Sequence, residues 1–139
     1  MSAPFVHSRR VEFRDTDTAG IVHFSNFFAY MEQAEHAFLR SVGLGVICEI
    51  DGVKISWPRV NAACDYRQAI RFEDVIDIHL SIERIGDKSV TYGFAFYLGE
   101  DRVADGKITA VCCKFEHGVK PRSMAIPAKF VDSIKPFVT

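Results

Sequence analysis

The fold is decided by one stretch near the N-terminus, Val11-Glu12-Phe13-Arg14-Asp15-Thr16-Asp17-Thr18-Ala19-Gly20-Ile21-Val22-His23-Phe24-Ser25-Asn26-Phe27. It begins with the alternation of a half-buried strand, which we predict over residues 9–14 with Val11 and Phe13 facing the core. Two carboxylates, Asp15 and Asp17, and a glycine turn follow, and the chain then enters a predicted helix. Unpaired backbone N–H groups at the start of a helix can hold a carbonyl oxygen that gains charge. The stretch therefore favours chemistry on an acyl group.

Composition indicates one domain spanning residues 1–139, because 48% hydrophobic residues with twelve Phe among 139 residues supply an ample core. The formal net charge of −1 provides no basic field of the kind that binds nucleic acid. The start, Met1-Ser2-Ala3-Pro4, lacks the pattern of a signal peptide, and no stretch approaches the roughly 20 apolar residues of a membrane helix. We therefore expect a cytoplasmic protein with no membrane span and no nucleic-acid partner.

The cysteines and histidines indicate no metal site. No C-x-x-C pair occurs, and the adjacent Cys112 and Cys113 would point to opposite faces of a strand. We expect Cys48, Cys64, Cys112 and Cys113 to be buried free thiols. The five histidines form no H-E-x-x-H motif or similar ligand spacing, so we predict that the protein holds no metal.

The segment after Gly20 has the periodicity of a long helix. An apolar stripe predicts about 18 residues of helix that begin near Ser25 or Asn26, either of which could cap it, and end at Gly43. The members of the stripe are Phe27, Met31, Ala34, Phe38 and Val42.

Beyond Gly45 the apolar residues recur with a period of two, which predicts four further strands. The alternating sets are Val60, Ala62, Cys64 and Tyr66; Ile76, Ile78, Leu80 and Ile82; Val90, Tyr92, Phe94, Phe96 and Leu98; and a stretch from Val103 to Phe115. Turns at 85–88 and 99–102 predict an antiparallel meander of the last three strands. Pro58 interrupts the start of the second strand or places that strand at an edge.

The C-terminal residues predict a short helix that begins at Pro127, with Phe130 and Ile134 facing inward. The predicted class is therefore α+β, with a five-stranded antiparallel sheet against one long helix. Apolar residues lie on both faces of the last two strands, Ile108 and Ala110 against Val111 and Phe115, and one helix cannot cover both faces. Either something else covers the second face or the sheet extends into the sheet of a partner. We expect a homo-oligomer.

The stretch E-F-R-D-T-D-T-A-G-I-V-H-F-S-N-F-F, with the helix and meander that follow, resembles two groups of hot-dog-fold acyl-CoA thioesterases. These are the 4-hydroxybenzoyl-CoA thioesterase type and the small bacterial enzymes associated with the Tol-Pal system. The resemblance implies a hot-dog fold, in which a five-stranded antiparallel sheet wraps around one long central helix. It also implies hydrolysis of an acyl-CoA thioester to a free acid and a thiol. The residues that carry it are Asp15, Asp17, Gly20, Ile21, Val22, Asn26 and Phe27.

By this resemblance Asp17 is the catalytic carboxylate, acting as a nucleophile or as a general base, while Asp15 bonds loop amides. The thioester carbonyl would meet the backbone N–H of His23 or Phe24. We also expect Asn26 to be a substrate-binding residue. A carboxylate and a backbone N–H that binds the oxyanion are sufficient for thioester hydrolysis, because a thiolate leaves easily and needs no acid catalyst. The Tol-Pal-associated members carry tyrosine then histidine where this chain has His23 then Phe24, so the His23 side chain is a candidate for hydrogen bonding to substrate or for orienting water.

Glu32 lies about 12 Å along the helix from Phe24 and has two interpretations. It could receive a ring hydroxyl in an acyl pocket, as an acidic residue does in the aromatic-acyl members that the chain resembles, or it could form a surface pair with His36.

Coenzyme A phosphates require cations, and coenzyme A is here part of the substrate rather than a cofactor. Lys88 with Ser89 matches a lysine-serine step in the aromatic-acyl members, and Arg84 is a second candidate. The remaining candidates are Lys114, Lys120 and Arg122.

Other functions stay open at the level of sequence. A hot-dog enoyl-CoA hydratase or dehydratase would need an acid and base poised over the acyl chain. A non-catalytic acyl-CoA-binding module would keep the fold without the reaction. For the thioesterase we expect a homodimer or homotetramer with the site at the subunit interface.

Overall fold

A computed structural model describes residues 3–139 and contains two α-helices and nine strands within that range. Their bounds are β1 (Phe5–Arg10), α1 (Asn26–Ser41), β2 (Cys48–Ile50), β3 (Val53–Ser56), β4 (Arg59–Tyr66), β5 (Val75–Ile85), β6 (Ser89–Leu98), β7 (Asp101–Val111), β8 (Cys113–Lys114), β9 (Arg122–Ser123) and α2 (Ala128–Ile134). One turn of 3₁₀ helix, Phe13–Asp15, connects β1 to the segment that precedes α1.

The predicted five-stranded antiparallel sheet is confirmed. Its strand order is β1-β5-β6-β7-β4, and every neighbouring pair is antiparallel. The β5-β6-β7 meander lies at its centre, and β4 begins directly after Pro58 and forms an edge, as the proline indicated. A second sheet with the order β2-β3-β8-β9 was not predicted.

The prediction for the first strand was wrong by about four residues. Strand β1 pairs with β5 from Phe5 to Arg10, and the 3₁₀ turn then takes Phe13 out of the core, where 76% of it is exposed. Val11 is buried as predicted. The apolar alternation of the sequence continues to Phe13, but pairing with β5 stops at Arg10. Beyond that point the Glu12 N–H donates to the Asp15 carboxylate instead of to a neighbouring strand.

Helix α1 has 16 residues, against about 18 predicted, and contacts both edge strands, β1 and β4, as well as β5. Gly43 follows its end with φ +80°, a left-handed conformation that suits glycine. Ser25 precedes the helix but makes no side-chain capping bond. A Cβ at Gly106 of β7 would lie 2.2 Å from Sδ of Met31, so the helix rests directly on the strand backbone.

The core lies between α1 and the inward face of the large sheet, where Phe27 contacts Phe96 and Phe38 contacts Tyr92 edge to face. The predicted inward residues of α2, Phe130 and Ile134, are buried. These contacts fix where α1 begins, and therefore where the residues just before it lie.

The outward face of the sheet is largely polar, contrary to the expectation of two apolar faces. Ile108 and Ala110 are buried, whereas Val111 and Phe115 are only half-buried. Apart from Tyr97, which stacks on His79, the other outward residues of β6 and β7 are small or polar: Ser89, Thr91, Gly93, Ala95, Asp105, Lys107 and Thr109. This face therefore gives no argument for a covering partner.

All four cysteines are free; Cys112 and Cys113 are buried, and Cys48 and Cys64 are half-buried. Among residues 3–139, no three His, Cys, Asp or Glu side chains are grouped so as to hold a metal ion. Within the same residues, neither helix has the length and apolarity needed to cross a membrane.

Candidate active site

Asp17 lies in a tight turn at the mouth of a cavity. Its N–H donates to the Ile21 carbonyl over 2.8 Å, and the Gly20 N–H donates to its carbonyl over 3.0 Å. Gly20 has φ +81°, which other residues adopt only with strain. The Ala19 N–H donates to Asp17 Oδ1 over 2.8 Å, while no residue of the described chain donates to Oδ2. One carboxylate oxygen is therefore used by the turn and the other is open.

The cavity has a volume of about 390 Å³ and a mostly apolar wall. We refer to it as the Asp17 cavity, and its lining residues are Asp17, Ile21, Val22, Phe24, Phe27, Tyr66, Arg67, Gln68, Ala69 and Ile70. A half-buried carboxylate beside apolar walls is suited to act as a base or nucleophile toward a bound acyl group.

Asp15, two residues earlier, faces Arg9 and Tyr30, and three donors bind one of its two oxygens. Its Oδ2 accepts from the Glu12 N–H (2.9 Å), from Arg9 Nη2 (2.9 Å) and from the buried Tyr30 hydroxyl (2.8 Å). Burial raises the pKa of this carboxyl, but the three donors outweigh burial and hold the pKa below its ordinary value. The expectation that Asp15 bonds loop amides agrees with this geometry.

The backbone between Asp15 and α1 distinguishes the two predicted carbonyl-binding N–H groups. The His23 N–H already donates to the Asp15 carbonyl over 2.8 Å, and Asn26 Nδ2 donates to the same oxygen over 2.8 Å. The Phe24 N–H has no acceptor among residues 3–139. Phe24 is therefore the available donor, and the Asn26 side chain binds the loop.

The His23 ring is turned toward Ser25 and stacks on the Phe24 ring, with centroids 4.5 Å apart. The Ser25 N–H donates to His23 Nδ1 over 3.2 Å, and the Ser25 hydroxyl lies 2.8 Å from the same atom. An Nδ1 that accepts a backbone N–H carries a lone pair, so the proton of the neutral ring is on Nε2. His23 can therefore offer a donor at Nε2.

Glu32 is exposed, does not line the Asp17 cavity, and lies 4.0 Å from Arg59. The predicted pair with His36 is not present in the described structure, because His36 lies beside Glu35 instead. Glu35 is 1% exposed, and both of its oxygens accept from the Arg59 guanidinium. Burial raises the pKa of Glu35, and Arg59 offsets part of that rise.

Lys88 and Arg84 lie at the end of the sheet away from Asp17. Strand β6 has ten residues, so about 30 Å separate the turn that carries Lys88 from the other end of that strand. A separate cleft of about 330 Å³ contains the remaining predicted cations, Lys114, Lys120 and Arg122.

The cations at the Asp17 cavity were missed by sequence reasoning. Arg67 lines the cavity, and Arg71 Nη1 lies 3.9 Å from the position of a Cβ at Gly20. The available signal was two arginines four residues apart directly after the end of β4. The sequence placed Tyr66 only in the apolar alternation of a predicted strand, yet its hydroxyl donates to the Phe24 carbonyl over 2.9 Å.

Cys64 carries a potentially nucleophilic thiol near this site, since it lies on β4 two residues before Tyr66. Burial and the neighbouring Asp65 raise the pKa of Cys64 to about 11. The thiol therefore stays protonated at neutral pH, and the attacking form of cysteine, the thiolate, is scarce. Asp17 is the stronger candidate.

Comparison with known proteins agrees with this geometry. Residues 11–134 match the family described as the thioesterase-like superfamily. A protein of Aquifex aeolicus, provisionally named an esterase, is 31% identical over 132 residues that cover 95% of this chain and 98% of that protein. A 1,4-dihydroxy-2-naphthoyl-CoA hydrolase of Synechococcus is 32% identical over 76% of this chain and 74% of its own length. The solved gentisyl-coenzyme A thioesterase is 31% identical with a TM-score of 0.81, covering 93% of this chain and 98% of that one.

Proposed function

The chain belongs to the thioesterase-like superfamily as an acyl-CoA thioesterase, and we propose that Asp17 and the Phe24 N–H together carry out the hydrolysis. The observation that carries the proposal is that Asp17, with one carboxylate oxygen free of donors, and Phe24, with an unbonded backbone N–H, line the same cavity. The cavity wall would hold the acyl group, Phe24 N–H would receive its carbonyl oxygen, and Asp17 would act on its carbonyl carbon.

Two routes lead to the same products. As a nucleophile, Asp17 Oδ2 bonds to the carbonyl carbon, the C–S bond breaks, the thiolate leaves and takes a proton from water, and a water molecule then hydrolyses the mixed anhydride. As a general base, Asp17 takes a proton from the water that attacks the same carbon, the C–S bond then breaks, and the leaving thiolate takes that proton from Asp17. Acylated enzyme captured by rapid quenching during a single turnover would identify the first route, and its absence would support the second.

For the acyl group, we propose an aromatic ring system. Phe24, Phe27 and Tyr66 line the cavity, and two relatives with 31–32% identity are named for dihydroxynaphthoyl-CoA and gentisyl-CoA. Flat aromatic acyl groups pack against aromatic walls in offset or edge-to-face geometry. Arg67 and Arg71 lie at the mouth and are suited to the coenzyme A phosphates.

We propose that the chain dimerises through strand β4, the edge of the large sheet. Among the described strands β4 pairs only with β7, and exposed apolar side chains flank its free edge, with 63% of Val60 and of Phe24 accessible. Two-fold pairing of two β4 edges is antiparallel, so the Lys88 end of one copy would approach the Asp17 end of the other. Sedimentation equilibrium tests this: we expect about twice the chain mass of 15.7 kDa. A single-chain mass at micromolar concentration would contradict it.

The catalytic proposal is tested by thiol release from aromatic, short aliphatic and long aliphatic acyl-CoAs. Asp17→Asn keeps the side-chain shape but cannot act as nucleophile or base, so we expect turnover to fall by at least about 10²-fold. Asp51→Asn is the matched control, because Asp51 is exposed, pairs with Lys129 and lies outside the cavity. It should leave turnover unchanged.

Wild-type turnover no higher than that of Asp17→Asn on every thioester would contradict the proposal. The same panel separates the alternatives. A hydratase would consume enoyl-CoA without releasing thiol, and a binding module would hold acyl-CoA unchanged.

A further inference from the structure

The Phe24 N–H is surrounded by fixed hydrogen bonds. The His23 carbonyl, which shares a peptide group with that N–H, accepts from the Asn26 N–H over 2.9 Å. On the other side, the Phe24 carbonyl accepts from the Tyr66 hydroxyl over 2.9 Å and, over a longer 3.4 Å, from the Phe27 N–H. Since 63% of Phe24 is exposed, packing of its side chain does little to hold the backbone. Hydrogen bonds therefore decide where the Phe24 N–H points.

The Tyr66 bond differs from the others in its reach. Asn26 is three residues from His23, whereas Tyr66 is 42 residues from Phe24 and belongs to β4. The Tyr66 ring is itself braced, because it packs edge to face on the buried Phe27 with centroids 4.9 Å apart. The hydroxyl thus ties the segment before α1 to the large sheet.

We infer that Tyr66 is a positioning residue, whose hydroxyl fixes the Phe24 backbone so that its N–H meets the oxygen of the tetrahedral intermediate. The inference rests on the proposed function. A donor aimed in advance at the developing oxyanion stabilises the transition state without reorganising at the moment of reaction. Small displacements of such a donor lower the rate far more than they weaken substrate binding.

The test is Tyr66→Phe, which removes the hydroxyl and keeps the ring that packs on Phe27. We expect kcat for the preferred acyl-CoA to fall about tenfold, the scale of one well-placed hydrogen bond, with KM changed less than about twofold. The melting temperature should stay within about 2 °C of wild type, and the sedimenting mass should be the same.

Tyr97→Phe is the matched control. Tyr97 lies on β6, stacks on His79 and does not line the Asp17 cavity, and no described residue accepts a hydrogen bond from its hydroxyl. Its kcat and KM should equal those of wild type.

Three results would overturn the inference. They are an unchanged kcat in Tyr66→Phe, a rise in KM at constant kcat, which would make the hydroxyl a substrate contact, and a loss of kcat accompanied by unfolding or dissociation. An active wild type with any of these results removes only the inference about Tyr66. A wild type that releases thiol from no acyl-CoA removes the proposed function and the inference together.

Discussion

Asp15 and Asp17 are two residues apart in one loop, yet their surroundings are opposite. Asp15 is buried, and three donors meet on one of its oxygens. Asp17 is half-buried, gives one oxygen to the Ala19 N–H, and keeps the other free at the cavity. The buried Asp15 carboxylate stabilises the loop away from the cavity, whereas the Asp17 carboxylate lies where a substrate can reach it.

The ability of each aspartate to reach a substrate depends on which side of the loop backbone its carboxylate faces. The side with Asp15 meets Arg9 of β1 and Tyr30 of α1. The side with Asp17 meets the cavity, and the turn at Gly20 holds it there. Under the proposed function, Asp15 holds the loop and Asp17 acts on the substrate.

The largest expected effect on stability is that of Asp15→Asn. The amide cannot balance the Arg9 guanidinium or accept all three donors, so we expect the free energy of unfolding at pH 7 to fall by about 2–3 kcal/mol. Asp17→Asn should lower it by less than about 1 kcal/mol, because its amide oxygen can still accept the Ala19 N–H. Urea unfolding of both variants measures this contrast, and equal losses would break it.

The pH dependence sharpens the same experiment. The folded-state pKa of Asp15 is below its ordinary value, so this group stabilises the wild type above the unfolded pKa of about 3.9. That contribution is lost as the pH falls through the folded-state pKa. The gap between wild type and Asp15→Asn should therefore be complete at pH 7 and shrink below about pH 4. A gap of constant size would show that the Asp15 charge is not its source.

A smaller effect is expected from the two turn glycines Gly20 and Gly99, which have φ +81° and +63°. Alanine at either position should cost about 1 kcal/mol of unfolding free energy, because the left-handed conformation disfavours a Cβ. Only Gly20→Ala should also lower kcat, several-fold, since its turn carries Asp17. A similar kcat loss in Gly99→Ala would show that the activity change reflects general destabilisation.

Much of the large sheet was predictable, because long strands with one buried face repeat with a period of two. The end of β1 was not predictable, because Val11 and Phe13 continue the apolar alternation beyond Arg10, where pairing with β5 ends. The small sheet was missed because β8 and β9 have two residues each and depend on partners far along the chain. Such strands leave no local pattern.

The residues of the candidate site were likewise predictable only in part. Asp17 was chosen by resemblance of a continuous motif, and its role as nucleophile or base stays a prediction. Tyr66 and Arg67 reach the cavity from β4, about 40 residues after the motif, and no local spacing connects them to it. Lys88 was chosen by a two-residue match, which carries no information about its distance from Asp17.

Gly106 makes the size of the Asp17 cavity adjustable from a residue that does not line it. A Cβ at this position would fall 2.2 Å from the sulfur of Met31, which is fully buried and has little room to withdraw. A side chain there must displace either the Met31 side chain or the first half of α1, and in the second case Phe27, one cavity wall, would move with the helix. Position 106 is therefore where a designer seeking to admit a bulkier acyl group would begin, with Met31 retained so that the displacement reaches α1.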